Sequence, residues 1–258
     1  MDEVLHACAF EDNYIWLIRG KSPDRVAIVD PGDANPVLAA LEKQHLKPVA
    51  ILCTHHHGDH VGGVADILKV YSIPVYGPGR ERISTLTHRL RDGDRVTLPE
   101  LGAEFEVLEV PGHTAGHIAF SGAGMLFCGD TMFSAGCGRL FEGSAEQMHR
   151  SLSRFAALPG DTRMYCGHEY TEANLRFALA VEPENADTLA YRDRAQAQRR
   201  QNLPTLPSTI GLERRVNPFL RSGQPGVRQA AEKHVGRALV SEVEVFAVLR
   251  RWKDGFRG

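Results

Sequence analysis

The chain has no long apolar run. No stretch of its 258 residues approaches the roughly 20 needed to span a bilayer, which argues against a transmembrane helix. It is also poor in cysteine. Cys8, Cys53, Cys128, Cys137 and Cys166 are odd in number and far apart, which sets aside a disulfide-stapled secreted scaffold. The start, Met1-Asp2-Glu3-Val4-Leu5-His6, lacks the basic segment and apolar core of a secretory signal. Reduced thiols in a cytoplasmic protein are therefore the expectation. A strong net charge is missing too. The total is −2, without the broad basic surface that nucleic acids require. Neither internal repeats nor low-complexity tracts occur.

What is present is a globular composition. Hydrophobic residues make up 43% and charged residues 24%, enough for one large domain or two smaller ones around a substantial core. The charge is uneven along the chain: residues 1–170 sum to −7 and residues 171–258 to +5. A basic tail on an acidic body could meet an anionic ligand, or could simply be a solvated helical surface.

The first two thirds alternate strand-like and helix-like segments, the signature of an α/β fold. Val26–Val29 is a β-branched run closed by Asp30-Pro31-Gly32. Pro36 to His45 reads as a helix with proline at its start. Val49–Cys53 is a buried strand, Val64–Val70 a helix, and Glu104–Val110 another strand. Arg91-Asp92-Gly93-Asp94-Arg95 reads as a hairpin turn, and Ser121-Gly122-Ala123-Gly124 as a Gly-rich turn between two short apolar runs. Ser144–Ala157 has Met148, Leu152 and Phe155 at helical spacing. After about Tyr170 strand signals fade, and Ala173–Val181 and Pro183–Arg200 read as helices. Ser241-Glu242-Val243-Glu244 is a capping-box pattern opening a last helix to about Lys253. The expected division is a mixed α/β domain at 1–172 and a helical domain at 173–258.

The densest chemistry is in His55-x-His57-x-Asp59-His60, which follows the Val49–Cys53 strand directly. Imidazole and carboxylate suit zinc, iron and manganese. His55 and His57, two apart on an extended loop, can point the same way. Asp59 and His60 would aim elsewhere if a helix begins there, which suits two neighbouring ions better than one. His113, Asp130 and His168 also sit just beyond strand-like runs, where sites form in open α/β folds. A lone histidine beside glycine is more often structural, but these stretches together form a joint signal.

This pattern resembles the metallo-β-lactamase superfamily. Asn13-Tyr14, Asp30-Pro31-Gly32, Gly129-Asp130-Thr131 and the run Gly136–Gly143 narrow the resemblance to its glyoxalase II family, as do Cys166–Thr171, Asn217-Pro218-Phe219 and Arg250–Asp254. The resemblance spans nearly the whole chain. It implies an αβ/βα sandwich with a C-terminal helical domain and two divalent metal ions, zinc by default with iron or manganese also suitable. By position it implies His55, His57 and His113 on one ion, Asp59, His60 and His168 on the other, and Asp130 bridging them. Asp30 and His117 would orient histidines, and His56 would not be a ligand. Asp59 and Asp130 would act in catalysis through a hydroxide shared by the ions. Arg139, Tyr170, Asn174, Arg250 and Lys253 would contact glutathione.

The implied reaction is hydrolysis of a glutathione thioester, S-D-lactoylglutathione, by a monomer that binds neither nucleic acid nor membrane. Chemistry agrees: a thiol of pKa about 8.5 leaves readily, so no dedicated general acid is required. Glutathione carries two carboxylates, and Arg250 and Lys253, three apart, would share one face of the last helix, which Arg257 would continue if the helix persists. Val245, Leu249 and Trp252 form a separate apolar stripe. Some relatives carry Lys and Tyr where this chain has Arg139 and Phe141; the first exchange keeps the charge, the second removes a hydroxyl. The rivals are a single-iron glutathione persulfide dioxygenase of the same superfamily, a two-metal nuclease, a β-lactamase and a non-catalytic metal binder. Cys137, between two glycines, is the most tempting cysteine for a covalent mechanism, but cysteines beside strand ends read better as small buried hydrophobes.

Overall fold

The structure, a computed structural model, describes residues 3–258. Met1 and Asp2, part of the acidic start, lie outside the described residues. Its contacts divide the chain into two compact units that alternate along the sequence. The first takes everything up to Glu109, then Ala115–Gly129 and Tyr165–His168; the second takes Val110–Thr114, Asp130–Met164 and Glu169–Gly258.

The first unit opens with β1 (Glu3–Ala9) and β2 (Asn13–Arg19), an antiparallel pair with Ala9 opposite Asn13. β3 (Arg25–Val29), α1 (Ala34–Lys43) and β4 (Lys47–Leu52) follow; then α2 (Gly58–Val61), α3 (Val64–Val70), β5 (Val75–Pro78) and β6 (His88–Leu90). The six strands form one mixed sheet in sequence order, parallel from β3 to β6. Helical crossovers at α1 and α3 permit the β3–β4 and β4–β5 pairings, while a loop without a helix joins β5 to β6. Ile15 and Leu17, Val26 and Ile28 alternate onto one face and pack with Val37, Leu41, Val64 and Ile67 from the two helices. β4 is buried on both faces at its end, which is why Ala50–Cys53 reads as an unbroken apolar run.

A second sheet begins with β7 (Arg95–Leu98), β8 (Ala103–Glu109), β9 (Ile118–Gly122) and β10 (Met125–Gly129). The chain then runs through β11 (Met132–Phe133), β12 (Gly136–Cys137), α4 (Ala145–Ala156) and β13 (Arg163–Cys166), the last beside β10. In the helical region α5 (Thr171–Val181) and α6 (Ala186–Arg200) precede the short β14 (Ser208–Thr209), and α7 (Ile210–Val216), α8 (Pro225–Val235) and α9 (Glu242–Gly255) close the chain. Thr209 and Ser208 pair antiparallel with Arg163 and Met164. Two six-stranded sheets, helices and the C-terminal helical region give the expected sandwich architecture. No helix among the described residues is long and apolar enough to cross a membrane.

The Ser121–Gly124 turn is a true hairpin, with Ala123 and Gly124 at φ 50° and 71° between paired β9 and β10. Arg91–Arg95 is not. β6 belongs to the first sheet and β7 to the second, so this turn carries the chain from one sheet to the other. Its Asp94 accepts from the Arg91 amide at 2.7 Å, a local bond that does not depend on strand partners. α1 starts at Ala34, two residues before the expected proline, because the Asp33 carboxylate caps it from the Asn35 amide. At α9 the Ser241 hydroxyl accepts from Glu244 as expected, but the Glu244 carboxylate reaches the Val240 amide instead of closing the box. The reciprocal capping box is at α4, between Ser144 and Gln147. α9 ends at Gly255, so Arg257 lies beyond the helix and does not extend the Arg250–Lys253 face.

Candidate metal centre and substrate cavity

In the first unit, β4 feeds the ligand loop directly. Asp30 pins both ends of that loop. Its carboxylate accepts from the Thr54 amide and the Thr54 hydroxyl, each at 2.7 Å, and lies 3.1 Å from His60 Nδ1. Asp30 itself is buried and sits at φ 50°, a left-handed conformation that aspartate tolerates better than most residues. Thr54 gives its hydrogen to Asp30, so its oxygen accepts from His55 Nδ1 at 3.1 Å. His55 Nε2 therefore keeps its lone pair, 3.1 Å from His57 Nδ1. His117 stacks on His55 with centroids 4.6 Å apart.

Two glycines make this packing possible. A Cβ on Gly32 would lie 1.9 Å from the Asp59 carbonyl oxygen, so only glycine lets the two loops approach. Gly129, at φ 48°, has no room either: its Cβ would lie 2.3 Å from Thr54 Oγ1.

Asp59, His60 and His168 present three ligand atoms to one another. Asp59 Oδ2 is 3.5 Å from His60 Nε2 and 3.4 Å from His168 Nε2. An ion with tetrahedral ligands at about 2.0–2.2 Å separates them by roughly 3.3–3.6 Å, so the spacing fits. The remaining imidazole nitrogens face carboxylates: His60 Nδ1 donates to Asp30, and His168 Nδ1 donates to Asp12 at 2.7 Å. Asn13 donates to Asp59 Oδ2 at 3.1 Å and to its backbone oxygen at 3.2 Å. The donor set is nitrogen and oxygen without thiolate, which suits zinc, iron and manganese alike. His56 turns away to Glu81 at 2.9 Å, and Glu81 also accepts from the Gly116 amide.

In the second unit, His113 and Asp130 are buried side by side, His113 Nε2 lying 3.6 Å from Asp130 Oδ2. His113 Nδ1 donates to the Arg139 carbonyl at 2.9 Å, which leaves Nε2 as the outward nitrogen. Both line a cavity of about 460 Å³. Arg139, Tyr170, Asn174, Arg250 and Lys253 line that same cavity, along with Phe141. Their roles differ. Lys253 is half-buried, and burial beside Arg250 and Arg176 pulls its ammonium down to about 8. Its Nζ donates to the Ala173 carbonyl at 3.1 Å. The Arg139 side chain is exposed, with Nε 3.9 Å from Asp254. Arg250 is only 4% exposed and is held by the Cys137 carbonyl at 2.7 Å and by Asp254 at 3.0 Å. Asn174 is similarly occupied, donating to the Ser134 carbonyl at 3.0 Å. Burial pushes the Cys137 thiol up, away from the thiolate a nucleophile needs.

Sequence reasoning missed Asp12, Asn13 and Glu81, which hold candidate ligands or their neighbours. It also missed Glu213, buried in the second unit. Glu213 accepts from Ser134, Ser208, the Ala135 amide and Asn217 at 2.8, 2.5, 2.8 and 3.1 Å. These donors surround the Met132–Cys137 turn that joins Asp130 to Arg139.

Residues 10–168 match the profile of the metallo-beta-lactamase superfamily, and residues 169–256 match the hydroxyacylglutathione hydrolase C-terminus. A protein from Nitrosomonas eutropha named hydroxyacylglutathione hydrolase is 51% identical over 257 residues, covering 100% of both chains. Among solved structures, ETHE1 from Myxococcus xanthus covers 98% of each chain with TM-score 0.65 at 22% identity, a likeness of fold alone. Another, TTHA1623, solved in a di-iron-bound form, is 27% identical, with TM-score 0.59 over 85% of this chain and 100% of its own. A sandwich fold with clustered histidines and aspartates defines a metal-dependent hydrolase of the metallo-β-lactamase superfamily. Within that superfamily, the chain belongs to the hydroxyacylglutathione hydrolase family.

Proposed function

We propose that the chain hydrolyses the thioester of S-D-lactoylglutathione, and of 2-hydroxyacylglutathiones generally, to glutathione and the free hydroxy acid. This is the second step of methylglyoxal detoxification. The observation that carries the reading is in the second unit. One cavity has cationic groups, Lys253 and Arg139, and two candidate metal ligands, His113 and Asp130, on its wall. An anionic substrate with a reactive carbonyl fits that combination.

The ligand assignment follows the family pattern: His55, His57 and His113 for one ion, Asp59, His60 and His168 for the other, Asp130 for both. Two divalent ions held there, zinc by default with iron or manganese as alternatives, would supply Lewis acidity and a nucleophile from water at neutral pH. The protein's own residues do the rest. Carboxylates on the outer imidazole nitrogens of His60 and His168 fix which nitrogen faces the ion. Lys253 and Arg139 draw in the glutathione carboxylates. Arg250 acts in this scheme mainly by holding the Cys137–Gly138 backbone, since its guanidinium is committed there. The leaving thiol needs no proton donor of its own.

On this reading residues 1–172 bind metal and carry out catalysis, and residues 173–258 bind substrate. The protein would work as a cytoplasmic monomer. The test is turnover of S-D-lactoylglutathione by metal-replete protein. Efficient hydrolysis, lost on chelation and in Asp130→Ala, is expected. Normal turnover by Asp130→Ala would reject the two-metal assignment. Absent thioester turnover with a single iron bound would move the reading to the persulfide dioxygenase.

A further inference from the structure

The supports behind Asp59, His60 and His168 are unequal. His60 rests on Asp30, which is buried and bonded twice more to Thr54. Asp59 and His168 both rest on one place, the turn between β1 and β2. Asp12 in that turn takes the His168 Nδ1 hydrogen at 2.7 Å, and Asn13, the next residue, grips Asp59 by its carboxylate and its carbonyl. The turn is further fixed by a backbone bridge between Asn13 and His168 and by the Tyr14 amide donating to the Gly167 carbonyl at 2.8 Å. Asp59 and His168 lie 46 and 156 residues away from the residues that hold them. The turn is also strained: Phe10, a bulky aromatic, is held at φ 53° while 63% exposed. Neither burial nor a glycine accounts for that conformation. Strain of this kind persists where surrounding bonds over-determine it, and here those bonds run to the ligands.

We propose that the Phe10–Asn13 turn is a positioning element that ties Asp59 to His168 and so sets the affinity of the Asp59, His60 and His168 group for its ion, separately from the rest of the centre. The proposal rests on the two-metal reading above. Asp12 acts through His168: an ionised carboxylate on Nδ1–H raises the basicity of Nε2 and fixes the ring. Asn13 acts through Asp59 by holding one carboxylate oxygen in place.

The experiment uses metal-free full-length protein equilibrated with graded free zinc, with bound metal counted by elemental analysis. Wild type is expected to bind two zinc ions. Asp12→Ala is expected to keep one tight ion and to bind the second about 10- to 100-fold more weakly. Asp12→Asn, which can still accept from Nδ1–H, should recover most of that loss. Asn13→Ala should weaken the same ion and leave the other untouched. Thermal melting of the metal-free variants should match wild type. Unchanged affinity for the second ion in Asp12→Ala, or equal weakening of both ions, overturns the proposal. Asp12→Asn as defective as alanine also overturns it. A wild type that binds only one zinc would show instead that the two-metal reading fails, and the proposal falls with it.

Discussion

Replacing Glu213 separates two ways a buried carboxylate can hold a turn. In Glu213→Ala the Ala135 amide loses its only bond to this side chain, whereas Ser134 still has Tyr191 at 2.7 Å and Asn217 still has the Gly136 carbonyl at 2.9 Å. An orphaned buried amide costs about 1–3 kcal/mol. The emptied volume adds about 2 kcal/mol or more. The loss should be about 3–5 kcal/mol, which for a chain of this size lowers Tm by about 6–20 °C. Glu213→Gln should behave differently. Its amide oxygen can take the Oε2 place and keep the Ala135 and Asn217 donors. Its amide nitrogen then faces the Ser134 and Ser208 hydroxyls, which can rotate to accept. That exchange should cost about 1 kcal/mol, or about 2–4 °C. Burial also pushes the Glu213 carboxyl above its ordinary range, so a neutral isostere is not a harsh change. The assay is thermal and denaturant unfolding at neutral pH, with metal content matched between variants. A glutamine variant as unstable as the alanine variant would refute the reasoning, because charge and not donor satisfaction would then hold the turn.

Three further outcomes follow from the geometry. Lys253, lowered to about 8 by burial, is cationic below that pH and neutral above it. KM for a glutathione thioester should therefore rise as pH passes 8, and Lys253→Arg should flatten the rise; a flat wild-type profile to pH 9.5 would reject the role. Gly32→Ala should displace Asp59 and lose zinc from the Asp59, His60 and His168 group, because its Cβ would lie 1.9 Å from the Asp59 oxygen. Zinc analysis showing full occupancy would contradict this. Arg250→Ala should lower stability by about 2–4 kcal/mol through the lost Cys137 and Asp254 bonds. A stability change under 1 kcal/mol, read by urea unfolding, would return Arg250 to a purely substrate-facing role.

The ligand loop was legible because it is local. Four donors within six residues, right after a buried strand, announce themselves in any reading frame of the fold. What supports them was not legible. Asp12 and Glu81 look like ordinary polar residues, and Asn13 stood out only as part of a family motif without a role, because their partners are 156, 25 and 46 residues distant. Glu213 opens the charged run Glu213-Arg214-Arg215 and so reads as surface, although its donors come from the β11–β12 turn, from β14 and from Asn217, which caps the end of α7. The misread turn at Arg91–Arg95 has the same cause. Turn chemistry specifies a local reversal and says nothing about which sheet each flanking strand joins. Of the tail helices, α5, α6 and α9 were legible from the sequence, whereas α7 and α8 were not, and Arg257 falls outside the last helix because α9 ends at Gly255, itself a helix-ending residue type.

The alternation of the two units along the chain has a consequence for biosynthesis. The first unit is missing its last four residues, Tyr165–His168, until Asp130–Met164 has been made. Those four include His168. A nascent chain carrying Asp59 and His60 therefore waits through about 100 further residues before the third donor of that group exists. On the two-metal reading, ion capture at this group would be a late event of synthesis, coupled to completion of the first unit. Shortened chains that end before His168 should emerge from the ribosome unable to hold that ion, however well their N-terminal sheet has folded.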